Sequence, residues 1–186
     1  MEQRIFPFVE WYFGMMKGMQ SGTLVSVEEY LHTSYSPDCE YVDGKILERN
    51  VGEYEHARLQ TRLGAYLVNH EKQWEIRAVV EQRVQVKERQ FRVPDVCVIL
   101  ADAPKESIVT HPPLLCVEIL SPEDRMSEIL ERVSDYLAFG VCYVWVLDPR
   151  TRRAHIYRSD GVHEMKDGML WTSDPEILVP FDQLFD

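Results

Sequence analysis

FRVPDVCVIL, residues 91–100, and LLCVEILSP, residues 114–122, decide the reading of this chain. Each is an apolar run dense in Val, Ile, Leu and Cys, the composition of a buried strand. Each also carries one carboxylate where a core is otherwise apolar, Asp95 in the first and Glu118 in the second. A buried carboxylate without a partner is costly or takes up a proton, so such acids pair with Arg, Lys or a divalent cation. Strand alternation gives Val93, Asp95 and Cys97 a common face, and Cys116, Glu118 and Leu120 another. If the strands are neighbours in matched register, the two acids converge, which points to a shared metal. Oxygen donors of this kind suit Mg2+ or Mn2+, ions that keep several waters and favour phosphate substrates. The competing structural reading makes Asp95 a turn acid after Pro94 and Glu118 the partner of Arg132 or Arg92.

Outward from these runs the chain alternates strand and helix signals. Ser26 with Glu29 three residues on forms a capping box that opens a short helix to about Thr33. Asp43-Gly44 between two extended segments predicts a hairpin of 39–42 with 45–48. Helical spacing of Ala57, Leu59, Leu63, Tyr66 and Leu67 predicts a long amphipathic helix from Glu53 to about Lys72. Strands are expected over 76–86, 90–100 and 114–120. A helix is expected from the Ser121-Pro122-Glu123-Asp124 start to Gly140, then a strand over 141–147. The strand–helix–strand order over 114–147 predicts a parallel βαβ unit with a right-handed crossover. A return strand from Arg153 and a terminal hairpin and turn near Phe181 and Phe185 follow. The fold class is therefore α/β with a mixed central sheet flanked by helices, preceded by an N-terminal helix and hairpin.

The 186 residues fit one domain, expected over 23–186; 45% are hydrophobic and 27% charged, ordinary for a globular chain. The net charge of −11 argues against a broadly adhesive nucleic-acid surface. It leaves room for a metal-dependent nuclease, whose bound cation reverses the local field. Cys39, Cys97, Cys116 and Cys142 show no CxxC spacing, which argues against structural zinc and for reduced thiols in a cytoplasmic protein. Residues 1–22 are too short and too charged a stretch for a membrane span and lack signal-peptide features. They read as an N-terminal extension, with Met15, Met16 or Met19 as an alternative start, or as an amphipathic arm for a partner.

Several ordered motifs then resemble one branch of the PD-(D/E)XK nuclease superfamily, the Uma-two family of restriction-endonuclease-like proteins. The acid of Glu40-Tyr41-Val42-Asp43-Gly44 precedes the hairpin turn, and His56 opens the long helix. Pro94-Asp95 is followed by Glu118-Ile119-Leu120-Ser121-Pro122, by Tyr136 with Gly140-Val141, and by Tyr143-Val144-Trp145-Val146-Leu147-Asp148-Pro149. The likeness covers roughly 25–185. It implies a restriction-endonuclease-like core and a Mg2+- or Mn2+-dependent endonuclease that hydrolyses phosphodiester bonds, with DNA as the expected partner. Asp95 and Glu118 would then be metal ligands with the Ile119 carbonyl as a third. Glu40 would be an additional catalytic acid, and His56 a substrate contact.

One departure bears on catalysis. The superfamily's Lys two residues after the Glu is here Leu120, and the branch's Lys, four residues before the Tyr, is here Arg132. Arg132 keeps the charge and can clamp a phosphate, but a guanidinium is a poor general base. A non-catalytic scaffold used for binding or oligomerisation is therefore the second reading, and a phosphoesterase for small substrates the third. A homodimer is expected because cutting two strands favours two-fold symmetry.

Overall fold

The computed structural model describes residues 24–36, 38–49 and 53–185. The expected extension 1–22, with its alternative starts, lies outside the described residues. Helix α1 (Val27–His32) begins as the capping box predicts, with the Glu29 N–H donating to Ser26 Oγ at 3.1 Å. Strands β1 (Cys39–Val42) and β2 (Lys45–Glu48) form the predicted hairpin in the predicted register. Its Asp43-Gly44 turn takes positive φ at both residues, as a two-residue hairpin of this type requires. Helix α2 (Tyr54–Trp74) is followed by β3 (Ile76–Val80), β4 (Val84–Lys87), β5 (Gln90–Arg92), β6 (Val96–Leu100) and β7 (Leu115–Ile119). Then come α3 (Met126–Phe139), β8 (Tyr143–Asp148), β9 (Arg153–Arg158), β10 (Gly161–Glu164), β11 (Met169–Ser173), β12 (Glu176–Pro180) and a terminal 3-10 turn (Phe181–Leu184).

Two sheets share the work. A six-stranded mixed sheet runs β10-β9-β8-β7-β6-β3, with β7 and β8 parallel around α3 as the βαβ pattern predicts. A four-stranded sheet runs β2-β1-β5-β4, and β11 with β12 forms a separate hairpin. Alternation sorts the six-stranded sheet into two faces. Val96, Val98, Leu115, Val117, Ile119, Trp145 and Leu147 pack on Leu59, Leu63 and Leu67 of α2. Cys97, Cys116, Val144 and Val146 pack on Ile129, Val133 and Tyr136 of α3, with Val84 and Val86 of β4 closing that layer. A small satellite core of Tyr30, Tyr41 and Phe91 holds α1 to the four-stranded sheet. At the outer edge of β3, the Ala78 N–H donates to Glu71 Oε1 of α2 at 2.8 Å.

Three expected elements are corrected. The strand over 76–86 is two strands in different sheets, because Glu81 takes a left-handed φ of 51° and its N–H turns back to the Asp95 carbonyl. The strand over 90–100 is likewise divided: Pro94 has no N–H for a ladder, and the Val93 N–H is taken by the Glu40 carboxylate. The helix expected from Ser121 begins five residues later. Asp124 Oδ2 accepts from the Ser121 N–H at 2.7 Å and closes a local turn, so the helix is entered from Arg125.

Gly140 ends α3 at φ 108°, and a Cβ there would stand 3.1 Å from Pro112 Cγ. Gly140→Ala is expected to destabilise by about 1–2 kcal/mol, read in thermal unfolding as a Tm loss of roughly 2–8 °C.

Candidate active site

Strands β6 and β7 pair antiparallel with Cys97 opposite Cys116 and Val96 opposite Val117. Continuing that register sets Asp95 opposite Glu118, on the α3 face, as the alternation predicts. Asp95 stands one residue before β6, where the chain crosses from the four-stranded to the six-stranded sheet. Both acids are buried, at 2% and 3% exposure. Glu40 of β1 is buried as well and reaches the same layer from the other sheet.

Each acid is held by named partners. Asp95 Oδ2 accepts from the Ile119 N–H at 2.7 Å and lies 3.2 Å from His56 Nε2 at the start of α2. Its Oδ1 accepts from Arg49 Nη2 at 2.5 Å. Glu118 Oε1 accepts from the Tyr136 hydroxyl at 2.8 Å, and Oε2 lies 3.3 Å from Arg132 Nη1. The same guanidinium, through Nε, reaches Glu40 Oε2 at 3.3 Å, so Arg132 bridges Glu40 and Glu118. Glu40 also takes Arg92 Nη1 at 2.7 Å. Arg92 continues to Asp135 of α3 through Nε at 3.0 Å and Nη2 at 2.6 Å, and to Glu131. Lys87 and Gln90 complete the shell around Asp135.

Glu40, Asp95, Glu118, Arg132 and His56 therefore meet in one polar seam between the two sheets and α3, while the Ile119 side chain joins the apolar core and its N–H meets Asp95. The ion pair weighed against a metal is present for Glu118, with Arg132 as its partner; Arg92 serves Glu40 instead. His56, at the start of α2, faces Asp95. The sequence reading missed Arg49, and it missed Asp135 as the second carboxylate of Arg92. Their partners lie more than forty positions away, and no local period encodes such a distance.

The electrostatics follow from burial and like charge. Burial pushes the Glu118 carboxyl up to about 8; the Arg132 and Arg49 guanidiniums oppose this, but Asp95 and Glu40 add to it. A carboxyl raised in the folded state above its ordinary 4.5 withdraws stability as pH climbs through that interval. Burial also raises the Tyr136 hydroxyl, with Glu118 adding to the effect, so it remains a donor. Burial works against charging His56, but the hydrogen bond and charge of Asp95 outweigh it, and its pKa lies above the usual value. Arg132 is opposed by burial yet held charged by Glu118 and Glu40.

The donor chemistry was tested against a divalent metal. The set is oxygen-only and acidic, and the mutual repulsion that raises Glu118 is what a hard cation would relieve. Among the described residues no three His, Cys, Asp or Glu side chains converge on a single ion position. Two facing carboxylates, Asp95 and Glu118, with water completing the shell are the type of donor set Mg2+ accepts, in place of an all-side-chain cage.

Arg92 is expected to be the main electrostatic tie of the seam. Arg92→Met leaves Glu40 and Asp135 buried without their shared cation and should cost about 3–5 kcal/mol in urea unfolding. Adding Glu40→Gln and Asp135→Asn should restore part of that loss, because the stranded charges leave with them.

A known structure and a family model match this arrangement. A crystal structure of a putative nuclease belonging to DUF820 from Anabaena variabilis ATCC 29413 superposes with a TM-score of 0.75 at 22% identity, covering 87% of this chain and 97% of that one. At that identity the likeness speaks for the fold. No curated protein matches the chain. Residues 27–180 match the model of the Uma2 family, described as "Putative restriction endonuclease". With α1 to β12 inside or bordering the matched span, and with it Glu40, Asp95, Glu118 and Arg132, the chain belongs to the Uma2 family.

Proposed function

We propose that the protein is a Mg2+- or Mn2+-dependent endonuclease that hydrolyses phosphodiester bonds in DNA. The observation that carries this reading is the register that sets Asp95 opposite Glu118, both buried, with Arg132 reaching across to Glu118. In this reading Asp95, Glu118 and the Ile119 carbonyl hold the metal, and Glu40 is an accessory acid. A cation bound there supplies Lewis-acid activation of the phosphodiester and of an attacking water.

The chain's own residues supply the rest. Ile119 N–H fixes Asp95 Oδ2, and Tyr136 fixes Glu118 Oε1, so both carboxylates are oriented before any ligand arrives. Arg132 brings a permanently charged, planar donor to the acids and is suited to a phosphate oxygen. It does not take a proton from water, because its pKa is held above the already high guanidinium value. His56, 3.2 Å from Asp95 Oδ2 and with its pKa raised by that acid, faces the same carboxylates.

The acting form in this reading is a homodimer in the cytoplasm. Four free cysteines support the compartment, since oxidising compartments favour disulfides. No helix among the described residues is long and apolar enough to cross a membrane. The ion pairing of every acid in the seam favours one second reading, a nuclease-fold scaffold that binds without cutting.

Asp95→Ala or Glu118→Ala is expected to abolish Mn2+ binding by calorimetry and Mn2+-dependent DNA cleavage together. Native protein that binds Mn2+ and DNA but never cuts would favour the scaffold. Because metal ligands must be deprotonated, Mn2+ binding should tighten as pH rises from 6.5 towards about 8 and release a proton, seen by calorimetry in buffers of different ionisation enthalpy.

A further inference from the structure

Arg49 is unassigned by the family motifs, yet it makes the shortest of the contacts to Asp95. It follows β2 directly and lies 46 positions from its partner Asp95. Its Nη2 lies 2.5 Å from Asp95 Oδ1, and its side chain is 14% exposed against 3% for Arg92. The two guanidiniums differ in kind. Arg92 engages through all three nitrogens and ties two sheets and a helix together. Arg49 lies at the solvent edge of the seam.

The two oxygens of Asp95 are not equivalent. Oδ2 is fixed by a backbone N–H of β7, which cannot leave without opening the sheet, and it is also contacted by His56. Oδ1 is held by Arg49. A cation binding to Asp95 therefore finds Oδ1 as the oxygen that can be released, and Arg49 as the group that must yield it. Burial opposes the charge of Arg49, but Asp95, Glu118, Glu81 and Glu40 together hold it charged. A guanidinium displaced from a carboxylate keeps its charge and its fork of donors, and the ligand that matches both is a phosphate oxygen.

We infer that Arg49 is an exchangeable counter-ion: it neutralises Asp95 while the metal is absent, gives up Oδ1 when a divalent cation binds, and then takes a backbone phosphate of the nucleic acid. This rests on the metal-site reading above. It adds to that reading a residue with two opposed effects, competition against the metal and support for the polyanion. A purely structural ion pair has neither effect.

The test compares native protein with Arg49→Ala and Arg49→Lys. Mn2+ is titrated by calorimetry without nucleic acid. Binding of a labelled short DNA duplex is measured across salt concentrations with Ca2+ as a non-catalytic cation. Arg49→Ala should bind Mn2+ roughly five- to tenfold more tightly, because no cation has to be displaced from Asp95. Its Tm should fall without metal and be raised by Mn2+ more than that of the native protein. Its DNA affinity should fall, and the slope of log affinity against log salt should shrink by about 0.9, the loss of one phosphate contact. Arg49→Lys should retain the native slope. Mn2+ affinity that is unchanged or weaker in Arg49→Ala, while the native protein binds Mn2+, overturns the inference and leaves the metal site standing. An unaltered salt slope overturns the phosphate role. Failure of both native protein and Arg49→Ala to bind Mn2+ overturns the inference and the metal-site reading together.

Discussion

A carboxylate removed from water must be met by a cation or a donor at contact distance, and the middle of this protein is organised by that requirement. Arg92 meets it most fully. Its guanidinium lies between Glu40 of β1 and Asp135 of α3, two elements that belong to different layers. The four-stranded sheet and α3 are therefore bound through buried charge as well as through the contacts of Val84 and Val86 with the α3 layer. Such ties contribute little net stability compared with an apolar substitute, but they are demanding about geometry. Here they fix where α3 stands, and with it where Arg132 and Tyr136 meet Glu118.

Much of this arrangement was legible in the chain because its rules are local. The capping box at Ser26, the Asp43-Gly44 turn and the 3.6-residue spacing of α2 each act over a few residues, and each element formed where those rules put it. Alternation also carried across strands: Asp95 and Glu118 come opposite each other because both runs are nearly continuous and antiparallel neighbours. The failures are equally physical. The breaks at Glu81 and at Val93 to Asp95 depend on hydrogen bonds to distant groups, the Asp95 carbonyl and the Glu40 carboxylate. The late start of α3 depends on Asp124 competing for a backbone donor. Arg49 could not be read at all, since its partner Asp95 lies 46 positions away and no local pattern encodes that pairing.

The placement of Arg132 where a Lys was anticipated changes the division of labour. A Lys in such a seam could lose its proton through burial and take part in proton transfer. The guanidinium stays charged, so it can only bridge Glu40 to Glu118 and hold an anion. Within the seam each of the arginines Arg49, Arg92 and Arg132 is matched by carboxylates.

The contact of Glu71 with Ala78 concerns what the sheet is prevented from becoming. Strand β3 ends the six-stranded order, and an unpaired strand edge invites another strand to join it. A carboxylate from α2 already occupies the Ala78 donor, and an incoming strand would have to bring a carbonyl up against that buried-edge anion. At Ala78, growth of the sheet in that direction is therefore opposed by a side chain of its own covering helix.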